Sequence, residues 1–195
     1  MKEFNIIEKY FKPLTNAVKA ARALGDDVAQ ISLKAGEELV ISKDMFVENV
    51  HFLKSDGAFK IASKLLRTNL SDLAAAGAKP LYYSLGFSQN KNTDEKFIRE
   101  FAKGLRETQD EFGLCLIGGD TVSSKEMFYS ITVFGMIKKD ELLARNAAQD
   151  GDLIYTSGTI GDAALGLEIK LGKTAQKFSA AEKKYLLDRH FFPTP

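Results

Sequence analysis

Apolar residues recur at helical spacing near the start of the chain (Phe4, Ile7, Phe11), and Pro13 is expected to end that helix. Past Gly25-Asp26-Asp27 the pattern shortens to β-like runs at 28–32, 38–42 and 47–52, each bounded by Gly, Lys or Asp. Residues 58–78 are rich in Ala and Leu. They predict a long helix that stops at Gly77, with Pro80 beyond it. A strand is predicted over 81–88, and Thr93-Asp94 caps a helix that runs to Phe112. A short apolar strand over 114–117 and a long alternating one over 127–137 follow. Residues 138–151 form a polar connector. Beyond it the pattern predicts a strand at 153–156, a helix from Asp162 and another over 179–190.

With 195 residues the chain holds one domain, or one and a fraction. Its 45% hydrophobic and 27% charged content excludes disordered, collagen-like and coiled-coil classes. Lys and Arg number 27 against 26 Asp and Glu, so no broad field draws nucleic acid or an anionic membrane. A charged ligand must be held by a local cluster. Cys115, the single cysteine, excludes an internal disulfide framework and a CxxC metal site, and fits a reducing cytoplasm. The start, Met1-Lys2-Glu3-Phe4, offers no apolar signal-peptide core, and no apolar run is long enough to span a bilayer. A soluble, cytoplasmic protein without nucleic-acid or membrane partners is the expectation. The strand and two helices after the connector bury too little surface to close a core alone. That tail either packs on the first domain or opens a second one.

Acidic residues recur where apolar strands end: Asp44 after Leu39-Val40-Ile41-Ser42-Lys43, and Asp120 after Ile117-Gly118-Gly119. Asp27 precedes a predicted strand, and Asp72 lies inside the long helix with Asn69 on the same face. Carboxylates are the ligands hard cations require, and Mg²⁺ takes one or two of them plus phosphate oxygens. If the four aspartates share one cleft, cations must sit between them, and a polyphosphate is the natural ligand. Gly118 and Gly119 permit close backbone approach. Singly, each acidic motif also reads as an ordinary turn. Asp72, among Leu70, Leu73, Ala74 and Ala75, is either solvated at a helix edge or partnered by a cation. His51 is either a half-buried strand histidine or a phosphate contact. Arg145 is a surface arginine or a phosphate clamp, and Cys115, between two leucines, reads as a buried inert thiol. The glycine-punctuated turn at 158–162 could hold an anion at a helix N-terminus, or simply turn the chain into the helix.

Five stretches in order, GDDVAQI (25–31), ISKDMFVENVHF (41–52), NLSDLAAAGAKP (69–80), IGGDT (117–121) and ARNAAQDGDLIYTSGTIGDAALGL (144–167), resemble the thiamine-monophosphate kinases of the PurM-like, or aminoimidazole-ribonucleotide-synthetase, superfamily. The resemblance implies an α/β (α+β) fold: a PurM-like N-terminal domain whose mixed sheet forms a barrel-like interface in a homodimer. The start of a second α/β domain would follow. It divides the chain into an ATP- and Mg²⁺-binding domain at 1–140 and a linker with an incomplete C-terminal domain at 141–195. The implied reaction is transfer of the ATP γ-phosphoryl group to thiamine monophosphate, giving thiamine diphosphate. Asp27, Ser42, Asp44, Asp72 and Asp120 match the family's Mg²⁺ ligands. Gly119, Asp120 and Arg145 match its nucleotide contacts, and His51 its substrate contact. No general base is implied, because a substrate phosphate oxygen is already anionic at neutral pH.

Two positions and one missing motif depart from the pattern. Lys43 stands where a threonine is usual beside the metal-binding aspartate, and Ala102 where an aromatic contact to the base is common. No Ser-Asp-Gly motif follows residue 151, which points to the front part of a longer kinase. The alternative reading is a non-catalytic nucleotide-binding dimerisation module of the same fold.

Overall fold

The computed structural model describes residues 3–91 and 93–195, so the chain's first two residues and Asn92 lie outside it. Four strands, β1 (Glu37–Val47), β2 (Lys79–Gln89), β3 (Cys115–Ser123) and β4 (Phe128–Lys138), form one mixed sheet in the order β1-β4-β2-β3. β4 runs antiparallel to both neighbours, whereas β2 and β3 are parallel. A parallel pair needs a long crossover, and helix α3 (Glu95–Phe112) supplies it.

Helices α2 (Ala58–Ala75) and α3 cover one face of the sheet. α3 starts at Asp94, whose side chain accepts a hydrogen bond from the Phe97 amide at 2.7 Å, and ends at Gly113 in a left-handed turn at φ 72°. Its apolar stripe of Ile98, Phe101, Ala102 and Leu105 enters the core. Phe101 lies 4.7 Å from the Tyr129 ring and 5.2 Å from Phe87, so α3, β2 and β4 meet in one aromatic cluster. Gly104 lets the helices touch, since a Cβ there would stand 2.3 Å from the Phe59 carbonyl oxygen of α2. The opposite face is open except where the turn Lys19–Leu24 lays Ala20 and Ala21 against Ile117. Leu39, Ile41 and Met45 stay exposed on that face of β1.

Several expectations are corrected. Pro13 does not end the first helical run. α1 (Glu3–Ile6) continues through a π turn to Phe11 and a 3-10 turn to Thr15, with Pro13 in that last turn's first residues, where a missing N–H costs nothing. Residues 28–32 form no strand, and neither do 153–156, where Leu153, Ile154 and Tyr155 are 77%, 99% and 84% exposed. β propensity alone makes no strand, because the backbone needs a ladder partner and neither segment has one. The runs at 38–42 and 47–52 are not two strands. β1 is continuous to Val47, and a turn with Asn49 at φ 64° carries His51. β3 extends to Ser123, beyond its apolar start, because pairing with β2 carries it through Gly118 and Gly119.

The last elements, α4 (Asp162–Lys170) and α5 (Ala180–Phe191), form a helical hairpin. α5 is capped by Ser179 and Glu182 in a reciprocal box. A Cβ at Gly166 would stand 2.1 Å from the Leu186 carbonyl oxygen, so the two helices nearly touch. The hairpin rests on α2 and the loop before it through Lys170–Asp56 at 2.7 Å, Lys64–His190 at 3.3 Å and Phe59–Phe192 at 6.1 Å. Among the described residues no helix is long and apolar enough to cross a membrane.

Candidate functional site

Alternation along β1 turns Ser42 and Asp44 toward α2 and Lys43 to the open face. On α2, Asn69 and Asp72 are one turn apart. The Ser42 hydroxyl donates to Asp72 Oδ2 at 2.6 Å, and the Asp44 amide donates to Asn69 Oδ1 at 2.9 Å. Asn69 is fully buried, and its amide nitrogen donates to the Leu65 carbonyl at 2.8 Å. Both ends of that side chain are therefore spent holding β1 against α2. Burial pushes the Asp44 carboxyl up, the neighbouring Asp72 adds to this, and His51 opposes it. The His51 ring stacks on Phe46 at 5.5 Å, and its Nδ1 accepts the Val47 amide at 3.1 Å. In the neutral ring that leaves the proton on Nε2, as a donor on the other side.

Two carboxylates and a hydroxyl make an all-oxygen donor set. Among the described residues no group of three or more His, Cys, Asp or Glu gathers to hold a metal. A cation here needs further oxygens from phosphate or water. This suits Mg²⁺, which keeps few protein ligands, better than Ca²⁺ or Zn²⁺.

The open face carries a pocket of about 530 Å³, lined by Asp27, Lys43, Ser84, Gly118, Gly119 and Asp120 among others. Asp26 is held by Arg22 at 2.6 Å, while Asp120 accepts the Thr121 amide at 2.9 Å. Gly119 admits no side chain, because a Cβ there would stand 2.1 Å from the Leu85 carbonyl oxygen. The predicted acidic residues are thus brought together in two sets. Asp44 and Asp72 meet on the helix side of β1, and Asp27 and Asp120 share the open-face pocket. Asp120 on β3 lies three strand spacings from β1, about 14 Å.

Arg145 lies on an exposed connector and lines neither set. Ala102 is a core residue of α3, away from the pocket. The turn at 158–162 reads as structural: Gly161 at φ 100° precedes α4, and the Thr159 and Tyr185 hydroxyls both donate to Asp162. Cys115 is buried, and burial pushes its thiol up, so it is not a nucleophile. The sequence marks Asn69 only as a helix-face neighbour of Asp72, whereas its amide bridges β1 and α2. Lys43 is next to Asp44 along the chain, but strand alternation sends its side chain to the opposite face.

Residues 25–137 match the family described as AIR synthase related protein, N-terminal domain. The thiamine-monophosphate kinase of Haemophilus influenzae is 40% identical over 197 residues, covering 100% of this chain and 58% of that protein. The crystal structure of thiamine-monophosphate kinase from Stenotrophomonas maltophilia K279a aligns with a TM-score of 0.78 at 38% identity, over 88% of this chain and 55% of that one. AaThiL complexed with AMPPCP and TMP aligns with a TM-score of 0.75 at 26% identity, over 98% of this chain and 59% of that one. The chain spans somewhat more than half the length of these relatives.

Proposed function

The chain belongs to the AIR synthase-related, PurM-like family, and on that premise we propose that it is the front part of an ATP-dependent thiamine-monophosphate kinase. Residues 141–195 would be the connector and the first elements of a second domain. The observation that carries the reading is the pairing of Asp44 and Asp72 across β1 and α2, with the Ser42 hydroxyl on Asp72.

Asp44 and Asp72 are the residues that would hold Mg²⁺, with Ser42 fixing the orientation of Asp72. The ion, when bound, neutralises phosphate charge and aligns donor and acceptor. His51 presents Nε2 on the same side of β1 and would donate to the phosphate of thiamine monophosphate. Asp27, Gly119 and Asp120 would face the nucleotide from the open-face pocket, and Arg145, which lies outside that pocket here, would have to reach the nucleotide from the connector. Because Ser42, Lys43 and Asp44 are consecutive on an edge strand, the acid pair and the pocket are separated by one strand's thickness. A second copy of the chain would cover Leu39 and Ile41, at the end of β1 away from the pocket, in a homodimer.

The test is a calorimetric titration of a non-hydrolysable ATP analogue with and without Mg²⁺, on the parent chain and on Asp72→Asn. Binding that needs Mg²⁺ in the parent and is lost in the variant is expected. Equal Mg²⁺-dependent binding in both would remove Asp72 from the ligand set. Turnover of thiamine monophosphate would then separate the kinase from a non-catalytic nucleotide-binding module.

A further inference from the structure

Lys43 carries a charge that the acid pair cannot use, because it projects from β1 on the face opposite Asp44 and Asp72. Its ammonium reaches the Ser130 hydroxyl at 3.2 Å and the Thr132 hydroxyl at 3.4 Å. Both are neutral, and no ion pair to Lys43 occurs among the described residues. An ammonium has three donors, so at least one remains for a ligand.

The sheet beneath it is built to keep that arrangement open. Strand registers place Lys43, Thr132, Ser84 and Gly118 in one row across the four strands. Met45, Ser130, Gly86 and Asp120 form the next row. Six of these eight residues line the open-face pocket. Between the ends of the two rows nothing is bulkier than threonine. A Cβ at Gly86 would stand 2.4 Å from the Ser130 Oγ and turn that hydroxyl away from Lys43. The floor therefore runs from a cation on β1 to Asp120 on β3, about 14 Å away by strand spacing. Asp27 lines the same pocket.

A site with a carboxylate end, a floor of hydroxyls and glycines, and a lone ammonium at the far end fits an extended polyanion that carries a divalent cation on one side only. We propose that Lys43 binds the terminal phosphate of a polyphosphate chain lying across this floor, and so makes the pocket select triphosphates over diphosphates. That the polyphosphate belongs to a nucleotide rests on the kinase reading; the selection by chain length does not.

The experiment titrates the parent chain, Lys43→Met and Lys43→Arg with four probes in Mg²⁺: a non-hydrolysable ATP analogue, ADP, inorganic tripolyphosphate and pyrophosphate. Lys43→Met should weaken both triphosphates at least tenfold, leave the diphosphates within twofold, and keep the parent's thermal unfolding midpoint. Lys43→Arg should retain most of the triphosphate affinity. Triphosphate binding unchanged in Lys43→Met, or triphosphates and diphosphates lost equally, overturns the assignment. Should Lys43→Met unfold, Lys43→Arg and Lys43→Gln decide by the same ratio. Lys43-dependent tripolyphosphate binding without nucleotide binding supports the inference and overturns the kinase reading. Nucleotide binding indifferent to residue 43 does the reverse, and a parent chain that binds none of the four probes overturns both.

Discussion

The sheet with α2 and α3, and the hairpin of α4 and α5, each pack helices on a partner layer, yet different forces hold them. The first buries Tyr83, Phe87, Phe101, Tyr129 and a series of aliphatic residues in one continuous core. The second buries only Gly166, Leu186, His190 and Phe191 within its helices. It is fastened to α2 by the Lys170–Asp56 pair, the Lys64–His190 contact and Lys60 over the Phe191 ring. Apolar burial is insensitive to pH, whereas contacts among charged and titratable groups are not. The two regions should therefore fail under different stresses.

The largest effect is expected in the first region. Phe101→Ala removes a fully buried ring that touches Phe87 and Tyr129, and should cost about 4 kcal/mol in denaturant unfolding. A loss under about 1 kcal/mol would mean that α3 collapses into the space. Next comes Asp56→Asn, which strands Lys170, only 12% exposed, without its carboxylate. The hairpin's docking should weaken by about 3 kcal/mol. Hydrogen exchange should then speed up in α5 and leave α3 unchanged; equal acceleration in both would erase the distinction between the regions.

A smaller effect, about 2 kcal/mol, is expected for Asn69→Ala, which leaves the Asp44 amide without its acceptor. Thermal unfolding with and without Mg²⁺ checks it. The variant should lose both parent stability and any Mg²⁺-induced rise in midpoint.

The pH response sharpens the comparison further. Burial, then Lys64 and Lys170, push His190 down to about 4 from an ordinary 6.5. The unfolded chain therefore binds the proton more readily between those values. The His190 contribution to stability is complete above pH 6.5 and is lost as pH falls toward 4. Lys64, pushed down to about 8 from 10.5 by burial first, has the same sign in a higher window, with stability rising from pH 8 to 10.5. His190→Gln should flatten the acid limb, as seen in midpoints measured across pH 4–7. An unchanged acid limb would place the sensitive group elsewhere. Least of all, Lys184→Ala removes an exposed i, i+4 pair with Asp188 and should leave the unfolding midpoint where it was.

Most helices were legible from the chain because capping and periodicity are local. Asp94, Gly113 and Ser179 mark ends that need no distant partner. The aspartates were legible as a chemistry, since carboxylates after strands and glycines beside them suit metal-bound phosphate wherever they meet. What could not be read was which of them meet. Tertiary packing decided that Asp44 faces Asp72 while Asp120 lies across the sheet, and that Lys43 turns to the open face with Ser130 and Thr132. It also decided that residues 28–32 and 153–156, β-like by composition, stay outside the sheet. The physical reason is the same in each case. Helix caps and i, i+4 faces are closed within a few residues, whereas strand pairing and the side of a strand that meets a helix depend on partners tens of residues away.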